Sequence, residues 1–106
     1  LTIIEPANHL ADICRKKGLN VINKFLENIN ISDLPKGQKT FVSFELIEHL
    51  HDPKLFFSKM KKIMGPKDIF IFTTLSGVGL DIAELGKKSN SIMPPYHINF
   101  YNPFIC

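Results

Sequence analysis

The chain has 106 residues, 44% of them hydrophobic, and sets 13 Lys+Arg against 10 Asp+Glu for a formal net charge of +3. That size and apolar content suit one small globular domain with a modest core and argue against a disordered segment. Arg15 is the single arginine, which excludes an arginine-rich phosphate-gripping surface, and the Lys59, Lys61, Lys62 and Lys67 cluster reads as a solvated helix face.

Taken in chain order, Ile3-Ile4 is a short apolar run that stops at Glu5-Pro6, as a buried strand does at a loop. From Ala7 to Lys17, Leu10, Ile13 and Cys14 recur at helical spacing, Arg15-Lys16-Lys17 fill the last turn and Gly18 supplies the stop. Leu19 to Ile22 reads as a second strand. Between Phe25 and Lys39 the turn formers Asn28, Asn30, Ser32, Asp33, Pro35 and Gly37 predict a loop with at most one helical turn. Phe41-Val42-Ser43-Phe44 is a third strand, apolar enough to be expected buried on both faces. Asp52-Pro53 starts a helix, Phe56, Met60, Ile63 and Met64 form its apolar stripe, and Gly65-Pro66 ends it. Ile69 to Thr74 is the strongest strand signal. Leu80 to Lys87 is a short helix, and the rest, from Ser89 to Cys106, reads as a structured loop.

Strands alternating with helices predict an α/β fold with a parallel sheet, whose ligands bind at the carboxyl ends of the strands. Cys14 and Cys106 have no metal-ligand spacing, and a reduced, cytoplasmic setting is the expectation. No apolar run approaches the roughly 20 residues of a membrane span. The opening at Leu1-Thr2-Ile3-Ile4 reads as a beginning in mid-strand and the close at Phe104-Ile105-Cys106 as a stop in mid-segment, so a longer protein is expected.

Three groups of polar residues sit where such a sheet places its chemistry. Glu5 ends a strand, where a carboxylate can accept two ribose hydroxyls at once; the same position suits a loop acid that caps the next helix. Glu45-Leu46-Ile47-Glu48-His49-Leu50 brings two carboxylates and an imidazole within one helical turn. They could hold a divalent metal; equally, one glutamate could face solvent, the other cap an amide and His49 pack on the sheet. His97, between Pro94-Pro95-Tyr96 and Ile98-Asn99-Phe100, could face the same pocket or pack within its loop. His9 and His51 carry no such signal. Absence of a Gly-x-Gly-x-x-Gly run, a phosphate loop or a Gly-x-Ser-x-Gly elbow removes the main support for kinase and hydrolase readings.

Together Ile3-Ile4-Glu5-Pro6, Phe25-Leu26-Glu27, the run from Phe41 to Leu50 with Asp52-Pro53, Ile69 to Leu75, and His97 to Pro103 resemble strands 2 to 5 of the class I S-adenosylmethionine (SAM)-dependent methyltransferase superfamily. The resemblance is to the branch with the ubiquinone-biosynthesis O-methyltransferases and many uncharacterised bacterial methyltransferases. It implies a partial Rossmann-like parallel sheet over residues 1–106 and SAM as cofactor. Glu5 would bind the ribose, Leu26 and Glu27 would border the adenine, and Ser43 and Phe44 would lie against the cofactor. His49 or His97 would serve as general base for a hydroxyl acceptor, a small molecule or saccharide. In some relatives the set corresponding to Glu45, Glu48, His49 and His97 holds a divalent metal, here expected to be magnesium or manganese.

Two departures stand out. The family's glycine-rich SAM loop and first strand are absent, and Gly65-Pro66-Lys67-Asp68 replaces the usual Lys-Pro-Gly-Gly turn. In the family's sheet that first strand lies between the second and the fourth, so the chain is expected to leave a gap, rearrange, or fill the place from another copy and self-associate. Two other readings remain: a methyltransferase-like binding or assembly module without catalysis, and a nicotinamide-dependent oxidoreductase, which leaves the Glu45 to His49 turn unexplained.

Overall fold

A computed structural model describes residues 1–102; the expectations that fall on Pro103 to Cys106 lie outside the described residues. The chain is mixed helix and strand, with two parallel two-stranded sheets. It divides into two compact units, one formed by Leu1–Lys39 and Lys54–Asp68, the other by Thr40–Pro53 and the chain from Ile69 onward.

In the first unit β1 (Thr2–Ile4) leads through α1 (Asn8–Lys16) to β2 (Asn20–Ile22), which pairs parallel to β1 with Ile3 opposite Val21. The ladder runs one bond further, from Glu5 N–H to the Ile22 carbonyl at 3.1 Å. The helix ends because Gly18 adopts φ +77°, a region that costs glycine nothing. Its N–H reaches the Arg15 carbonyl at 2.9 Å and the next N–H, of Leu19, reaches Cys14 at 3.2 Å, the pair of bonds that closes a Schellman turn. Ala11 and Ile29 are fully buried. Where one helical turn at most was expected, two 3₁₀ turns form, Leu26–Asn28 and Ile31–Asp33. The second is built by a capping box: Asp33 accepts from Asn30 N–H while the Asn30 side chain accepts from Asp33 N–H. The long helix α2 (Pro53–Ile63) starts directly after Asp52 and buries Phe56, Met60 and Ile63, the stripe expected of it.

In the second unit β3 (Thr40–Ser43) and β4 (Ile69–Phe72) pair parallel, Val42 opposite Ile71 and Ser43 opposite Phe72. Thr73 N–H extends the ladder to the Ser43 carbonyl at 3.0 Å. The short helix α3 (Leu80–Leu85) runs into a 3₁₀ turn, Gly86–Lys88. Burial of β3 on both faces does not hold. Val42 is 52% exposed, and its neighbours on that face, Ile69 and Ile71, are about as open at 51% and 50%. Period-2 geometry puts these side chains on one face of the pair, which nothing among the described residues covers fully, while Phe41 and Phe70 point to the other.

Candidate functional site

The turn after β3 is built differently from a helix start. Glu45 takes φ +47°, uncommon for a residue with a side chain and worth roughly 1–3 kcal/mol of strain. Two bonds to Thr73, at the end of β4, hold it there: Glu45 N–H donates to the Thr73 hydroxyl at 3.2 Å, and that hydroxyl donates to Glu45 Oε1 at 2.9 Å. The reversal turns the chain into the 3₁₀ turn Ile47–His49 and drives Ile47 and Glu48 completely inside. Glu48 Oε2 accepts from the Thr74 hydroxyl at 3.1 Å. Its Oε1 is buried with no hydrogen-bond partner, as is the Ser43 hydroxyl. Buried acceptors without donors are costly, and in a site they mark where a further group can bind.

A distant segment is fastened onto this turn. The N–H groups of Ile98 and Asn99 both donate to the Glu48 carbonyl, at 2.9 and 3.1 Å. Asn99 Nδ2 donates to the carbonyls of Leu50 at 2.6 Å and Ile47 at 3.4 Å. His49 Nδ1 lies 2.6 Å from the Tyr96 carbonyl and His97 Nδ1 lies 2.8 Å from the Ser91 carbonyl. A carbonyl only accepts, so both rings carry a proton on Nδ1, and each neutral ring presents a lone pair at Nε2. The two ring centroids are 4.9 Å apart, tilted by 53°.

The expected site residues therefore sort into groups. Ser43, Glu45, Glu48, His49 and His97 belong to the second unit, and the 93–99 segment does bring His97 to His49. Glu45 faces solvent and His49 is exposed rather than packed on the sheet; Glu48 is the buried carboxylate. Phe44 is 65% exposed. In the first unit Glu5 Oε1 accepts from Ala7 N–H at 2.8 Å, a bond that steadies the loop just before α1; no side chain caps the helix itself, so the expected capping role is not what the contact supplies. Leu26 and Glu27 lie in the first 3₁₀ turn, Leu26 half-buried and Glu27 exposed. A shallow hollow of about 310 Å³ lined by Gly37 to Lys39 and Gly65 to Asp68 contains none of these residues.

The metal reading meets the geometry here. Among the described residues no three His, Cys, Asp or Glu side chains converge so as to hold a metal ion. Glu45 is turned to Thr73 and Glu48 to Thr74, so the four residues do not form a metal cradle in this structure. Sequence reasoning missed Asn99, which has no chemistry of its own to flag it; its signal is only its place two residues after His97. No family model, curated protein or solved structure matches the chain. Among the described residues no helix is long and apolar enough to cross a membrane.

Proposed function

We propose that the chain is the core portion of a class I SAM-dependent methyltransferase that methylates a hydroxyl on a small molecule or saccharide. The paired imidazoles at the carboxyl end of β3 carry the reading. Their Nδ1–H groups are engaged by backbone carbonyls, so Nε2 of His49 or His97 is the atom that would take the proton of an acceptor hydroxyl. Bound SAM would supply an electrophilic methyl on a sulfonium centre, with the sulfur leaving as a neutral thioether. In its own unit Glu5 fits the nucleoside end: one lone pair meets Ala7 N–H, and a carboxylate has about four acceptor sites, leaving capacity for two ribose hydroxyls. The orphaned Ser43 hydroxyl and Glu48 Oε1 are polar atoms awaiting partners at the strand end where this fold binds ligand.

Strand pairing supports the Rossmann-like assignment. The family order places strand 2 beside 3 and strand 4 beside 5, the two parallel pairs observed here, with the family's first strand between them. A second reading, an assembly module without catalysis, is favoured by the half-exposed face of Val42, Ile69 and Ile71, which suits self-association.

Calorimetry of the complete enzyme with SAM separates the two. Binding that weakens in Glu5→Ala is expected, together with methyl transfer lost in His49→Ala or His97→Ala. No binding, or binding indifferent to Glu5→Ala, would overturn the methyltransferase reading.

A further inference from the structure

We propose that Asp81 is a positioning residue for His97: it fixes the turn whose carbonyl decides which ring nitrogen of His97 carries the proton. Asp81 lies in the first turn of α3 and is itself exposed. One of its oxygens, Oδ2, nevertheless receives two hydroxyls, from Ser89 Oγ at 2.6 Å and from Ser91 Oγ. Ser89 is 3% exposed, and its Oγ also accepts from Ser91 N–H at 3.0 Å. Asp81 Oδ2 and Ser89 Oγ each thus take part in two bonds. Ser89 N–H bonds to Gly86 O at the end of the preceding 3₁₀ turn, and Ile92 N–H bonds to Ser89 O, both at 3.0 Å, the second closing a turn over residues 89–92.

The Ser91 carbonyl that emerges from this turn is the group that accepts from His97 Nδ1. Rotation of the Ser91 peptide would remove that acceptor, and a neutral imidazole left without one carries its proton mainly on Nε2, where it has no lone pair to offer. Bonds to an ionised acceptor are shorter and about twice as strong as those between neutral groups, so a carboxylate is the side chain to pin two hydroxyls. The two serines in turn hold the Asp81 carboxyl below the usual carboxylate range, consistent with an anion in this place. His49 is anchored on a different carbonyl, that of Tyr96, which Asp81 and the two serines do not touch, and it serves as the internal control.

What His97 does with its lone pair rests on the methyltransferase reading; how the ring is protonated does not. The experiment is therefore ¹⁵N–¹H correlation of the ring nitrogens in this chain, read where the imidazoles are neutral. In the unaltered protein both histidines should show a protonated Nδ1 and a bare Nε2. In Asp81→Ala, His97 should convert to a mixture dominated by the Nε2–H form while His49 keeps its pattern, and Asp81→Asn, which retains an acceptor oxygen, should restore the original His97 pattern. Should Asp81→Ala fail to fold, the Ser89→Ala/Ser91→Ala pair keeps Asp81 and removes its two donors, with the same expected change. An unchanged His97 tautomer in a folded Asp81→Ala or double-serine variant would overturn the proposal, and so would equal changes at His49 and His97. Failure of SAM to bind would overturn the methyltransferase reading and leave the tautomer result standing.

Discussion

The strand ends at Glu5 and at Ser43 solve the same problem by different means. After β1 the chain is steadied from nearer by: Glu5 reaches two residues ahead to Ala7, and Asn23, 18 residues on and just beyond β2, donates to the carbonyls of Glu5 at 2.8 Å and Pro6 at 3.1 Å. After β3 the turn is held by groups from far along the chain, Thr73, Thr74, Ile98 and Asn99. A strand end held by its neighbours can form early and tolerate change. One held by partners 26 to 52 residues away pays loop-closure entropy first, and gains in return a buried carboxylate and two oriented imidazoles.

An asparagine does the holding in each unit, which gives the sharpest way to break the comparison. Asn99→Ala strips donors from the carbonyls of Leu50 and Ile47 and is expected to cost about 1–3 kcal/mol; Asn23→Ala, whose bonds are partly exposed, should cost about 0.5–1.5 kcal/mol. Denaturant melts of the two variants check this. Equal losses would mean that the distant fastening adds nothing beyond two ordinary hydrogen bonds.

The same contrast explains what was legible in the sequence. β1, α1, β2, α2 and β4 follow from hydrophobic periodicity and from Gly18, Pro53 and Gly65, all of which act within a few residues. The Glu45 to His49 turn was recognisable as a group of chemical residues. Its conformation was not, because the positive φ of Glu45 depends on the Thr73 hydroxyl, 28 residues on. Whether Glu48 or Glu45 went inside is settled by that same reversal. The exposure of Val42 was missed for a related reason: an all-apolar run looks buried on both faces whether or not a cover is supplied. The meeting of His97 with His49 was only one option in the sequence, since it needs Asn99 and the backbone of 98–99 to dock on Glu48.

Acid should probe a carboxylate of the first unit in a way that leaves the imidazole turn aside. Asp68 sits in the turn before β4, and its carboxylate accepts from Gly65 N–H at 2.9 Å and Lys39 N–H at 2.7 Å, with Lys39 Nζ at 3.2 Å. These bonds, the one from Gly65 foremost, hold its carboxyl below the ordinary value of 3.8. A carboxyl whose pKa is lower folded than unfolded stabilises the fold fully above the unfolded value, and that contribution is lost as pH falls through the folded one. Asp68→Asn should therefore be less stable than the parent at neutral pH. The gap should narrow once the pH drops below about 3.8. Thermal melts of both proteins from pH 7 to pH 2 give the answer, and a gap constant across that range would show that Asp68 acts through shape alone.

The smallest effect belongs to Glu5, and it bears most directly on function. Its carboxylate accepts one backbone N–H, that of Ala7 just before α1, so Glu5→Ala should cost only about 0.5–1 kcal/mol, the lower part of the range for one hydrogen bond. Glu5→Gln keeps an amide oxygen for Ala7 N–H and should melt within about 0.3 kcal/mol of the parent, because the bond is conserved and only its charge assistance is lost. The two substitutions part company at the ribose. A glutamine offers one acceptor oxygen and an NH₂ group that can only donate, so it cannot take two hydroxyl protons together as a carboxylate does. On the methyltransferase reading, Glu5→Gln in the complete enzyme is as stable as the parent yet binds SAM more weakly, by roughly tenfold for a lost bond of about 1.4 kcal/mol. Calorimetry beside a thermal melt reads both quantities on one sample. A Glu5→Gln enzyme that binds SAM as tightly as the parent would reduce Glu5 to the loop acid that its contact with Ala7 already shows it to be.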